Sequence, residues 1–129
     1  MLKLNWLKLA VLGCVCGVLA MGTYNMAAFA ADDEPATKHT IKEVMKVAHK
    51  DGLLKKILAG EGSDEDKKTL LDLYVSMVES KPKKGDMQSW HNLAGQSALA
   101  AAKVVVGREG SLKELETATN CKACHDVHK

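Results

Sequence analysis

From residue 40 onward, apolar residues recur at three- and four-residue spacing, and Pro82 and most glycines fall in the gaps between these runs. The pattern predicts four helices and no strand. Thr40 with Glu43 makes a capping box that opens the first, over about 41–59, with Ile41, Val44, Met45, Ala48, Leu54, Ile57 and Leu58 on its apolar stripe. Gly60 and Gly62 end it. Ser63, followed by Asp64, Glu65 and Asp66 in the first turn, opens a second helix to about residue 80, before Pro82, with Leu70, Leu73, Tyr74, Met77 and Val78 facing inward. Asp86 caps a third, running to about residue 106, whose stripe of Trp90, Leu93, Ala94, Ser97, Ala101, Val104 and Val105 is rich in small residues. Ser111 with Glu114 forms another box, and a fourth helix carries Leu112, Leu115 and Ala118 to the end of the chain. Gly52 and Gly95 interrupt two of these runs and are expected to permit close packing. Four runs of similar length joined by short loops favour an all-α fold, an antiparallel up-down-up-down four-helix bundle.

The last helix carries the chemistry. Cys121-Lys122-Ala123-Cys124-His125 spells Cys-x-x-Cys-His, the attachment signature of a c-type haem. Two thiols at this spacing suit the two vinyl groups of one porphyrin, and the adjacent imidazole suits the iron. A disulfide, a redox dithiol or half a zinc site are the plainer readings of the two cysteines, but no second pair completes a zinc site. The expected cofactor is one covalent haem c near the C-terminus of the last helix.

Export fits this chemistry. Lys3 and Lys8 precede an apolar stretch from Leu9 to Met21, and Ala28-Phe29-Ala30 is an Ala-x-Ala cleavage site ahead of Asp32, Asp33 and Glu34. Residues 1–30 read as a cleaved signal peptide, 31–38 as a flexible N-terminal segment and 39–129 as the haem domain, in the periplasm or otherwise outside the cytoplasm. Two rivals are a retained membrane anchor and a lipobox ending at Cys14; membrane association is expected only if Cys14 is lipidated. Cleavage removes Cys14 and Cys16, leaving only the haem cysteines in an oxidising compartment.

The 99 residues after Ala30 are enough for one modest core. They hold only Tyr74 and Trp90 as aromatics, so a porphyrin would supply apolar mass that such a domain otherwise lacks. Losing Lys3 and Lys8 leaves 16 Lys and Arg against 16 Asp and Glu, which argues against nucleic acid as a partner. No Ser/His/Asp arrangement, paired-carboxylate motif or phosphate loop is visible, and no enzyme activity is expected.

Bundle topology sets His125 beside the start of helix one, the end of helix two and the start of helix three. The pocket should then collect Val44, Met45, Ala48 and His49, Met77 and Val78, and Met87, Trp90 and His91, leaving Leu58 and Val105 as plain core. Met45 is the expected distal iron ligand, with His49 and His91 as alternatives; Trp90 and Met77 are expected walls. His39 and His128 read as solvated or propionate-side groups. Lys81, Lys83 and Lys84 form a basic cluster at the same end, suited to steering an acidic redox partner.

A single Cys-x-x-Cys-His at the C-terminus of a four-helix chain, with Lys129 four residues after the haem histidine and Met45 early in helix one, resembles the class II cytochromes c, the cytochrome c-prime family and its low-spin relatives. The chain departs from that family in its shorter helices, in His128 where an aromatic is common, and in Ile41 where low-spin members carry Arg. The resemblance implies a monohaem electron carrier with His/Met ligation, sometimes paired through helix faces into a homodimer. The alternatives are a five-coordinate haem protein binding NO or CO, and a haem domain working inside a larger complex.

Mass spectrometry of the exported protein is expected to give a chain beginning at Ala31 plus one haem; diacylglycerol on Cys14, or an intact N-terminus, would put the domain on a membrane instead.

Overall fold

A computed structural model describes residues 37–129, which contain helices and no strand. The expected signal peptide, with Cys14, Cys16 and the Ala-x-Ala site, lies outside the described residues, as do residues 31–36. Thr40 starts the first element as its sequence implies: its hydroxyl accepts from the Glu43 amide at 3.2 Å, and the Glu43 carboxylate accepts from the Thr40 amide at 2.7 Å. Helix α1 (Ile41–Val44) runs straight into a π-helical segment, Met45–Lys50. Gly52 then adopts a left-handed conformation at φ 87° and caps α2 (Leu53–Leu58). The expected first helix is thus two short helices around a π-helical segment. A Cβ at Gly52 would meet nothing within 4 Å, so this glycine serves the left-handed backbone between the two pieces and not close packing.

The Ser63 capping box opens α3 (Asp64–Glu79), and the Asp86 carboxylate caps α4 (Met87–Val105) through the Ser89 amide at 2.8 Å. These two helices make the most extensive contact in the molecule. Trp90, in the first turn of α4, donates from Nε1 to the Met77 carbonyl in the last turn of α3 at 3.0 Å, so the pair is an αα-hairpin closed near its loop. Helices α1 and α2 pack on α3, while α5 (Ser111–Ala118) packs on α4 and α2. Tyr74, Ile57, Leu70, Leu115 and Val44 are fully buried between these layers, each large apolar side chain contributing about 1.5–3 kcal/mol by its removal from water.

The C-terminal run departs most from the sequence pattern. Gly110, at φ 73°, occupies the N-cap of α5, so the expected Ser111–Glu114 box does not form; Ser111 is buried inside the helix, and Leu112 faces out. The helix then stops at Thr119, and Asn120 caps a separate helix, α6 (Cys121–His128). Helix α6 lies against α4. Its far end reaches the start of α4: His128 is buried, within hydrogen-bond distance of Ser89 Oγ (3.1 Å) through Nε2 and of the Lys84 carbonyl (2.9 Å) through Nδ1, with its ring edge-on to Trp90 at 5.3 Å. His128 is therefore a structural clasp and not the solvated group expected. His39 is half-buried against Asp72 at 3.3 Å, the carboxylate that Lys38 also reaches at 2.6 Å. No helix of the described residues is long and apolar enough to cross a membrane.

Two glycines test this description from opposite sides. Gly85 sits at φ 80°, where an added Cβ would collide with His128 Nδ1, so Gly85→Ala is expected to cost roughly 2–4 kcal/mol from backbone strain and loss of the clasp. Gly95 lies inside α4 with open space where a Cβ would stand, which corrects its expected packing role. Gly95→Ala should raise stability by roughly 0.5–1 kcal/mol. Denaturant midpoints of the two variants check both signs.

Candidate cofactor site

Asn120 fixes where the site begins. Its side-chain oxygen accepts from the amides of Lys122 at 3.1 Å and Ala123 at 3.2 Å, so the helix restarts with Cys121 as its first residue. Cys121, Cys124 and His125 then occupy positions one, four and five of α6, a spacing that gathers them on one helix face. All three line a single cavity of about 510 Å³. Both cysteines are free thiols, Cys121 exposed and Cys124 half-buried, and His125 is exposed. The cavity therefore opens to solvent along α6.

The wall facing α6 combines three parts of the chain. The π-helical segment supplies Met45 and His49; α3 supplies Tyr74 and Met77; α4 supplies Leu93, Ala94 and Ser97. Ser97 also reaches the Ala118 carbonyl from its hydroxyl at 3.1 Å, which ties the end of α5 to α4 just before the Cys-x-x-Cys-His motif. In the π-helical segment the backbone closes a wider turn, Asp51 N–H donating to the Lys46 carbonyl at 2.8 Å. Such segments interrupt ordinary helices mainly at functional sites, and this one holds both candidate distal ligands from helix one.

Burial sets the electrostatics of the wall. The His49 imidazole is held below its ordinary pKa, first by burial and then by the nearby His125. Burial pushes the Tyr74 phenol well above its usual range, with Cys121 adding to the shift, and raises the Cys124 thiol, again with a contribution from Cys121. Tyr74 packs its ring 6.0 Å from that of His49, tilted by 32°. Its hydroxyl is buried and has no hydrogen-bond partner. A buried hydroxyl left unpaired costs about 1–3 kcal/mol, so this wall carries a polar atom that its own chain leaves unpaired. Among the described residues, no group of three or more His, Cys, Asp or Glu side chains is arranged to hold a metal ion by itself.

The sequence-derived site residues divide cleanly. Cys121, Cys124, His125, Met45, Met77 and His49 meet at the cavity. Trp90 does not line it: the ring is buried, with its N–H committed to Met77 and a face given to His128. His91 and Met87 are exposed, while Val44 and Ala48 are core residues behind the wall. The physical reason is the break at Asn120. Because α6 turns back along α4, its last residue covers Trp90 and its first residues face the middle of α4, so the cavity shifts from the expected bundle end toward Leu93–Ser97. Tyr74 was legible as an inward residue but not as a cavity wall, and Asn120 carried the N-cap residue type immediately before the motif.

Comparison of the chain with protein-family models, curated proteins and solved structures finds no match to any of them.

Proposed function

We propose that the protein is an exported monohaem c-type cytochrome that carries electrons. The observation that carries the reading is the meeting of two free thiols and an adjacent imidazole with a 510 Å³ cavity whose far wall presents Met45 and His49. The cavity's size lies within the range of about 300–1,000 Å³ usual for cofactor sites. Its lining fits a porphyrin: Met77, Leu93, Ala94 and Ala118 offer apolar contact beside the Tyr74 ring.

On this reading Cys121 and Cys124 would hold the group through thioether bonds, each thiol's sulfur and proton going to one vinyl group with no leaving group, and His125 would supply a nitrogen to its iron. Asn120 and the His128 clasp hold these three residues in position, because α6 is too short to stay helical by itself. A haem so held supplies reversible one-electron iron chemistry, and its axial ligands set the potential. On the Met45–Lys50 segment, Met45 is the second donor expected from the sequence and His49 its competitor. Two donors on the far wall favour a six-coordinate carrier over an open gas-binding iron.

The helices group as α1–α2, α3, α4 and α5–α6, an arrangement we read as a four-helix bundle with its first and last members broken, akin to the class II cytochromes c. Partners are then redox proteins, steered by Lys81, Lys83 and Lys84 in the loop that His128 grips at Lys84. The same family resemblance suggests a homodimer through helix faces; the balanced charge gives no reason to invoke nucleic acid.

The test is covalency. The purified protein is expected to stay coloured through denaturation and acid-acetone extraction, and replacing both Cys121 and Cys124 by Ala should abolish attachment and leave the apoprotein largely unfolded. A colourless denatured chain would end this reading.

A further inference from the structure

We propose that His49, and not Met45, is the second axial ligand, so that the iron is held between two imidazoles; this rests on the haem reading above. Three observations separate His49 from Met45. First, His49 and His125 line one cavity from separate elements, the π-helical segment and α6. Second, among the described residues the half-buried His49 ring makes no hydrogen bond, whereas His128 is committed through both nitrogens and His39 is committed to Asp72. An imidazole nitrogen that the chain leaves unpaired keeps its lone pair available to a group entering the cavity. Met45, by contrast, packs against the core. Third, the Tyr74 ring packs beside the His49 ring, 6.0 Å away on the same cavity wall.

The wide turn explains how helix one presents two donors at once. Met45 and His49 are four residues apart, and in a segment whose hydrogen bonds run from residue i to i+5 that separation is nearly one full turn. Both therefore face the cavity, Met45 as apolar wall and His49 as the group with a free lone pair. A bis-imidazole iron has a lower potential than a His/Met one, so the carrier would belong with low-potential donors.

The experiment is spectroscopy of the purified holoprotein. The wild type is expected to be low-spin, to lack the sulfur-to-iron charge-transfer band at the red edge of the ferric spectrum, and to refuse carbon monoxide when reduced. His49→Ala should become high-spin and bind carbon monoxide, with added imidazole restoring the low-spin spectrum. His49→Met should bring in the sulfur band and raise the potential, and Met45→Leu should still exclude carbon monoxide. A wild-type sulfur band, ready carbon monoxide binding by the wild type, or opening of the iron by Met45→Leu overturns the assignment to His49 while leaving the covalent haem intact. Absence of covalent haem overturns both readings. The wild-type spectrum decides the matter even where a variant does not fold.

Discussion

An eight-residue helix has too few internal hydrogen bonds to persist alone in water, where about 12–15 residues are marginal, and α6 has eight. Everything proposed for this protein depends on that helix being held. Asn120 satisfies two amides at its start, and His128 anchors its end by pairing both ring nitrogens and laying an edge on Trp90. Between these two fixed points sit Cys121, Cys124 and His125. The clasp explains why the loop before α4 needs Gly85: the backbone passes so close to the His128 ring that no side chain fits.

The same constraint decides which aromatic serves which purpose. With Trp90 covered by His128 and bonded to Met77, the aromatic left to the cavity is Tyr74, which brings a hydroxyl that the chain does not pair. The two aromatics on adjacent helices thus serve different places, Trp90 the clasp and Tyr74 the cavity wall. The α3–α4 hairpin is the rigid part of the arrangement, and the elements that face each other across the cavity, the π-helical segment and α6, both lean on it directly or through α1. A ligand bridging those two elements would stabilise the whole domain through mass action, since it binds the folded chain alone.

Much of this was legible from residues alone where the governing interaction is local. Thr40, Ser63 and Asp86 cap the helices their sequence announces, because a capping side chain needs only amides two or three residues away. The inward stripe of α3 was likewise readable from its period, as was the convergence of Met45, His49 and Met77 with the Cys-x-x-Cys-His motif. The break at Asn120 was not, since an Asn within a helical run reads either as a tolerated guest or as a cap, and tertiary packing of α6 on α4 chooses between them. Displacement of Trp90 and His91 from the cavity followed from that one choice. The π-helical segment has no compositional signature, and the role of His128 depends on the Lys84 carbonyl and Ser89, which lie 44 and 39 residues away in the chain.

The central claim is that a haem iron sits in the cavity between α6 and the Met45–Lys50 segment. Crystals of the holoprotein measured at the iron absorption edge test it most directly, through the position of the anomalous difference peak. The account predicts one peak per chain, beside His125 and facing the π-helical segment, with continuous density from the porphyrin to the sulfurs of Cys121 and Cys124. No iron peak, or one placed away from His125, would contradict it.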